Sequence, residues 1–351
     1  MPSRIIVSRT DGIGDVILTL PLAGVLKERF PDVHVLFLGS AYARPVVELS
    51  RHADGFVDWT EIGALDPKEQ VRRIQELQAD CIIHAFPRAE IARLARRSGI
   101  PVRIGTAGRF YHWTTCNQRV SFSRTRSDLH EAQLNLKLLR PLGIDRSFGL
   151  DELPGYYGIR PVARASLPAG AAGRRTHIIL HPRSKGSARE WGPENFRRLI
   201  QLLPADRYRI SITGSREEGE SLRDSGIYDF PQVEDVTGRF ALAGLITCIG
   251  EADALLAAST GPLHSAAALG KLAIGLYPPI RPMHPGRWAP LGTNAHHLVL
   301  DKKCNDCRKG GPCKCIQDLN PERVRDLLES SIPRTILPAT GLSSSGAGSD
   351  D

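Results

Sequence analysis

Two glycine-punctuated turns, residues 9–15 (RTDGIGD) and 259–270 (STGPLHSAAALG), each join an apolar strand to a helix-like segment and carry polar groups at the junction. A helix N-terminus leaves backbone N–H groups unpaired and carries a partial positive charge, so each turn is a natural seat for an anion. One seat in each half of a 351-residue chain implies a ligand held between two α/β domains, because a chain of this length exceeds a typical single core.

The stretches around these turns have the matching rhythm. Apolar runs at 4–8, 33–39 and 80–86 alternate with helical segments near 15–29, 41–50, 67–78 and 88–97, and a further strand is expected at 102–105. A helix over 127–143 closes this half, ended by Pro141 and Gly143. Continuous apolar strands between amphipathic helices indicate a parallel sheet covered on both faces. Periodicity then lapses, and the alternation restarts with strands at 176–182, 208–214, 252–259 and 272–278 and helices at 193–203, 216–223, 240–249 and 261–269. The domain reading is therefore 1–150, an inter-domain connection at 151–175, a second domain at 176–338, and a low-complexity tail at 339–351 that is expected to be disordered. Ligands of such folds bind at the carboxyl ends of the strands, where both glycine turns fall.

Composition narrows the partners. The net charge of +8 favours anionic ligands. No block of consecutive Lys/Arg and no aromatic–basic ladder supports nucleic acid as a partner. No stretch approaches the ~20 apolar residues of a membrane span, and the N-terminus runs straight into a strand, so a cytoplasmic protein with at most peripheral membrane contact is expected. Seven cysteines, an odd number with four of them late in the chain, do not form a disulfide framework. Cys304, Cys307, Cys313 and Cys315 are read either as a structural zinc site, for which the Cys-x-x-Cys pair is the better half, or as reduced thiols packing a loop.

Three segments carry chemistry. In Asp11-Gly12-Ile13-Gly14-Asp15 the third glycine of a dinucleotide fingerprint is absent, since position 17 is Ile. Gly12 and Gly14 instead let another group approach the backbone, with Asp15 beside it; the alternative is that Asp15 merely caps the helix. In Ser259-Thr260-Gly261-Pro262-Leu263-His264, Gly261 suits the N-cap, Pro262 the first turn, and Thr260, Ser259 and nearby N–H groups suit a phosphate. His264 lies on that first turn, near a ligand or packed. After the strand at 176–182, Ser184, Lys185, Ser187 and Arg189 form a basic-hydroxyl loop matched to a diphosphate, or a solvated charged loop. Glu234 and Asp235, before Thr237-Gly238, are candidates for ribose hydroxyls.

Together these segments resemble the bacterial heptosyltransferases, inverting glycosyltransferases of family 9 with the GT-B fold. The likeness rests on Ile13-Gly14-Asp15-Val16 with Leu18-Thr19-Leu20-Pro21, on Arg189-Glu190-Trp191-Gly192-Pro193, on Thr260-Gly261-Pro262-Leu263-His264, and on Cys315 with Asn320-Pro321-Glu322-Arg323-Val324. It implies two doubly wound, Rossmann-like domains facing a cleft, an acceptor-binding first half and a nucleotide-sugar-binding second half. It also implies ADP-heptose as donor and a lipopolysaccharide inner-core sugar or other glycan as acceptor. Ser259 stands where the family has an acid near the donor sugar. The alternatives are another nucleotide-sugar donor or a non-catalytic nucleotide-binding relative. Asp15 is the expected general base. Ser184, Lys185, Arg189, Thr260 and Gly261 are expected on the diphosphate, and Gly14, Ser259 and His264 near the sugar. With no Asp-x-Asp motif in the chain, no metal cofactor is required for catalysis.

Overall fold

The computed structural model describes residues 2–160, 174–281, 283–302, 304 and 313–332. The first half holds β1 (Arg4–Ser8), β2 (His34–Gly39), β3 (Gly55–Asp58), β4 (Cys81–His84), β5 (Val102–Thr106) and β6 (Gln118–Val120). The second holds β7 (Thr176–His181), β8 (Tyr208–Ile212), β9 (Val233–Asp235), β10 (Ala254–Ala258), β11 (Leu272–Tyr277) and β12 (Ala295–Val299). Each half forms one all-parallel sheet, ordered β3-β2-β1-β4-β5-β6 and β12-β11-β10-β7-β8-β9. Read from its own first strand, each is the doubly wound 3-2-1-4-5-6 order. The α/β, two-domain architecture expected from the sequence is what the chain adopts.

Interior strands are apolar on both faces because helices cover both. Ile5 and Val7 of β1 point into one core while Ile6 points into the other, and Ile178 and Leu180 of β7 oppose Ile179 in the same way. Thr176–His181 is buried throughout. At the usual ~25 cal/mol per Å² of apolar surface, each fully buried Ile or Leu contributes about 1.5–3 kcal/mol, so these alternating contacts dominate the stability of both sheets.

The expected helix over 15–29 is two helices, Ile13–Ile17 and Leu20–Arg29, because Pro21 cannot donate into the preceding turn. The helix over 127–143 is α-helical only over Glu131–Leu136 and tightens to 3₁₀ over Lys137–Leu142, with Pro141 inside and Gly143 left-handed at φ 80°.

The segment read as a connection begins inside the first half. Leu153 and Tyr157 are buried in its core, and Arg160 N–H donates to Leu49 O at 2.8 Å. The 3₁₀ turn Leu153–Tyr156 lies on Gly24, where any Cβ would collide with the Tyr156 backbone. An isolated bridge, Ser50 to Ile159, joins this segment to the first half. The far end of the chain behaves similarly: helix Pro321–Ser331 buries Val324 and Leu328 in the core that also holds Phe196, Leu199 and Ile200 of helix Pro193–Gln201. The tail at 339–351 lies outside the described residues. Among those described, no helix is long and apolar enough to cross a membrane.

Candidate active site

A cavity of about 750 Å³ lies between the two sheets, within the range of small-molecule sites. Its walls are the turns that leave the carboxyl ends of β1, β7, β8 and β10, and β7 and β10 are adjacent strands of opposite winding. This is the switch point where an open α/β sheet forms a crevice. Gly14, Asp15, Ser184, Lys185, Arg189, Ser259, Thr260, Gly261 and His264 all line it. The sequence candidates from three separate segments therefore converge.

The two glycine turns touch. A Cβ on Gly14 would stand 2.7 Å from His264 Cδ2, and one on Gly261 would stand 3.1 Å from Ile13 Cβ. The group that Gly14 admits is thus the His264 imidazole from the opposite half. His264 is 3% exposed, its Nδ1 has no hydrogen-bond partner, and burial holds its pKa down at about 3. It is a neutral ring with an unpaired nitrogen beside the cavity.

Asp15 does not cap its helix. Gly12 is the N-cap and no side chain closes that end. The Asp15 carboxylate instead pairs with Arg9 Nη2, while Arg9 Nε holds Asp11 at 2.7 Å and Arg9 Nη1 reaches Glu131 and Asn135 at 3.3 Å each. Burial raises both Asp15 and Asp11 against the pull of Arg9, Asp11 to about 6. Desolvation outweighs the helix end and the guanidinium, which suits a carboxylate that must take up a proton. Thr19 Oγ1 donates to Asp15 O at 2.8 Å and Asn135 donates to Thr19 at 3.0 Å, fixing the helix that presents the carboxylate.

The second half supplies anion chemistry. Thr260, rather than Gly261, is the N-cap of helix Gly261–Ala268; its hydroxyl makes no cap bond and is buried without a partner. The first-turn N–H groups and this hydroxyl are therefore available to an oxyanion. Ser265 donates to Gly261 O at 3.0 Å and packs, as the small-residue run suggests. Lys185 sits at φ +48°, an uncommon conformation for a side-chain-bearing residue, before Gly186 at +79°. Glu190 folds this loop by accepting from Ser184 N–H at 2.9 Å, Ser184 Oγ at 3.0 Å and Arg183 Nη1 at 3.0 Å. Ser184, expected on the diphosphate, thus turns its hydroxyl inward. Trp191 is buried against Phe196 and donates to Leu319 O at 2.9 Å, which anchors the loop's far end. Ser259 shares hydrogen bonding with the Tyr277 phenol.

Glu234 and Asp235 do not reach the cavity. Glu234 pairs with Arg239 at 3.1 Å, and Asp235 accepts from Thr237 N–H and Oγ1 at 2.9 and 2.7 Å. They lie on the edge strand β9 and close a turn. Besides Asp15, the acid that lines the cavity is Glu218, on the helix after β8, with an apolar wall of Val236, Phe240, Leu242 and Leu245. Its capping-box pattern, Ser215-x-x-Glu218, was readable as a helix start but carried no hint of a ligand. Arg287 and Trp288 also line the site and were not anticipated; no strand or glycine turn flags them.

Of the four late cysteines three are described, and Cys304 and Cys313 both lie within electrostatic reach of Cys315. Cys313 and Cys315 are buried and Cys304 is partly exposed, with the Cys315 thiol pushed up to about 11 by burial and by Cys304. Cys307 lies outside the described residues. Among those described, no three His, Cys, Asp or Glu side chains are grouped to hold a metal.

Comparison with known proteins places the fold in a family. The family described as Glycosyltransferase family 9 (heptosyltransferase) matches residues 69–316. A candidate glycosyltransferase of Haemophilus influenzae is 26% identical over 85% of this chain and 88% of its own. Lipopolysaccharide heptosyltransferase 1 of Pseudomonas aeruginosa is 25% identical over 95% of this chain and 99% of its own. The solved ADP-heptose lipopolysaccharide heptosyltransferase II of Escherichia coli superposes with a TM-score of 0.72 at 19% identity, covering 93% of this chain and 98% of that one. This chain is a glycosyltransferase, and it belongs to glycosyltransferase family 9, the heptosyltransferase family.

Proposed function

We propose that this enzyme passes a heptose, or a related sugar, from a nucleotide-sugar donor, ADP-heptose in the first reading, to a lipopolysaccharide-core or other glycan acceptor with inversion. The carrying observation is that the Asp15 carboxylate of one half and the open helix end at Thr260-Gly261 of the other line a single cavity. The E. coli relative is named for ADP-heptose and the P. aeruginosa relative is a lipopolysaccharide heptosyltransferase, which supports the same chemistry.

In this reading the diphosphate lies on the N–H groups after Thr260, with the Thr260 hydroxyl, Lys185 and Arg189 meeting its charge. The nucleobase packs on Val236, Phe240, Leu242 and Leu245, and Glu218 faces the ribose. Asp15 takes the proton of the acceptor hydroxyl as that oxygen bonds to the anomeric carbon. The bond from that carbon to the phosphate oxygen breaks, and ADP leaves with the electron pair. The fixed N–H groups, Lys185 and Arg189 stabilise the charge developing on the departing phosphate. His264, held neutral beside Gly14, has an unpaired nitrogen to offer the sugar.

Ser259 favours a second reading in which the donor sugar differs from heptose, since an uncharged hydroxyl shared with Tyr277 replaces the family's acid near the sugar. Calorimetry with ADP, UDP and GDP tests the nucleotide, and turnover of ADP-heptose with a defined acceptor tests the sugar. Replacing Asp15 with Ala should abolish transfer and leave ADP affinity within a few-fold; transfer that survives removes Asp15 as the base.

A further inference from the structure

The chain that leaves β5 runs Thr106-Ala107-Gly108-Arg109-Phe110-Tyr111-His112-Trp113-Thr114-Thr115-Cys116. Its base is tied down. His112 is buried with Nδ1 2.9 Å from Thr106 O, Arg103 Nε donates to Thr115 O at 2.7 Å, and Arg96 Nη1 donates to Thr114 O at 2.7 Å. Its tip is not buried: Phe110 is 90% exposed and Trp113 60%. Of the other exposed large hydrophobics, Tyr42 and Phe240 line the cavity; Phe110 and Trp113 do not. A rigid base that presents two aromatic rings to solvent works against the hydrophobic effect, so the tip calls for a partner.

The surroundings say which. Trp113 Nε1 donates to Ala107 O at 3.1 Å, so the ring carries no unmet polar atom, and the Arg119 guanidinium lies 4.8 Å over it. Arg109 and Arg93 both lie within electrostatic reach of Tyr111. Arg93 and Arg96 are exposed on helix Ala89–Arg97, which packs against the short helix His112–Thr115. The one acid at the start of that helix, Glu90, faces Arg88 at 3.6 Å.

We propose that Phe110 and Trp113, ringed by Arg93, Arg96, Arg109 and Arg119, form a docking surface for an anionic lipid bilayer. Aromatic rings flanked by basic side chains match the chemistry of the interface, where rings enter the headgroup level and guanidiniums meet phosphates. Two rings, at roughly 150–250 Å² each, are too little for a stable protein interface of about 1,000 Å² or more. In a parallel sheet all carboxyl ends share one edge, so this loop lies on the edge that also presents Asp15. Docking would hold that edge against the surface, where a lipid-linked acceptor would stand. That purpose rests on the function proposed above; the docking itself does not.

The test is co-sedimentation of the full chain with vesicles of phosphatidylcholine alone and of phosphatidylcholine with phosphatidylglycerol, at low and high salt, with ADP calorimetry alongside. Binding is expected to the anionic vesicles only and to fall with salt. Phe110→Ser with Trp113→Ser should weaken it at least tenfold, and Arg93→Gln with Arg109→Gln by on the order of tenfold or more, with ADP affinity and melting temperature unchanged in both. A chain that stays in the supernatant with every vesicle overturns the proposal, whether or not it self-associates. So does equal binding to both vesicle types, or variants that bind as the parent does. Vesicle binding without ADP binding would instead overturn the proposed donor and leave the docking surface standing.

Discussion

Replacing Gly14 with Ala tests whether the two halves work in the apposition described. The added methyl would stand 2.7 Å from His264 Cδ2, against the roughly 3.5–4.0 Å of an ordinary carbon–carbon contact. The imidazole is enclosed at 3% exposure, so it cannot swing aside without moving its helix. Overpacking of this kind costs about 1–3 kcal/mol. Ala is the better helix former by up to about 1 kcal/mol, but that gain falls on the first half alone and is kept when the halves separate. The penalty on the closed arrangement should therefore remain at about 1–3 kcal/mol, a 5- to 150-fold loss in kcat/KM at about 1.4 kcal/mol per decade. The melting temperature of the first half should hold or rise. Steady-state transfer kinetics with differential scanning calorimetry would separate the two effects. On a His264→Ala background the methyl meets no ring, so the further loss on adding Ala at position 14 should shrink to near unity. Parent-like transfer by the single variant, or an undiminished penalty without the ring, refutes the apposition.

The acid side of the pH–rate profile should lie above the ordinary Asp value of 3.8, because burial raises Asp15 and takes its neighbour Asp11 to about 6. Base activity is present above the raised pKa and lost as pH falls through it; a plateau that persists to pH values near 3.8 would exclude the pair. Stability should follow the histidines instead. His84 and His264 are lowered to about 3, and His130 and His177 to about 4, chiefly by burial. The unfolded chain binds their protons first, so melting temperature should drop as pH falls from about 6.5 toward 4; a flat profile over that window contradicts their neutrality. Glu131→Gln removes a 1%-exposed carboxylate on which Arg9, Arg124 and Arg287 converge. Unpairing buried guanidiniums should cost about 3–5 kcal/mol, seen as a clearly lower urea midpoint.

What the sequence makes legible is what the interior of the sheets repeats. β1, β2, β4, β7, β10 and β11 are largely apolar on both faces, and each is visible as a continuous run; β8 shows instead as an alternation, with Arg209 exposed between Tyr208 and Ile210. The unseen strands, β3, β6, β9 and β12, are the sheet edges; Gln118 and Arg119 of β6 and Glu234 and Asp235 of β9 are exposed and β12 is mostly half-exposed, so none of these has the apolar signature of a doubly covered strand. The same divide runs through the site. Lys185, Arg189 and Thr260 sit on strand-to-helix turns, and Asp15 and His264 lie in the first helical turn after a glycine turn, whose punctuation marks them. Glu218, Glu131 and Arg287 sit on helices and are placed by tertiary packing, which local spacing does not encode. Glu234 and Asp235 show the converse: a plausible pair of acids drawn into a surface turn by Thr237 and Arg239.

Burial, aided by Glu131, is what would let a carboxylate at a helix start serve as the proposed base. An acid there is stabilised in its charged form by the helix end, and a guanidinium on the same oxygen strengthens that effect. Both would hold Asp15 ionised and weakly basic. Arg9 is nevertheless a divided partner, sharing its N–H groups among Asp11, Asp15, Glu131, Asn135 and Ala85 O. Glu131 in turn draws Arg124 from the first half and Arg287 from the second. Glu131 itself works against Asp15 by like-charge repulsion, a smaller contribution than burial but of the same sign. The outcome is a carboxylate raised above its ordinary value while still oriented by a charged hydrogen bond. Because Arg287 belongs to the second half and donates to Glu131 at 3.0 Å and to Arg124 O at 2.7 Å, the network that sets the basicity of Asp15 is complete only when the halves meet. Basicity and closure are thereby coupled through Glu131, and loosening either half should shift the acid limb of transfer as well as its rate.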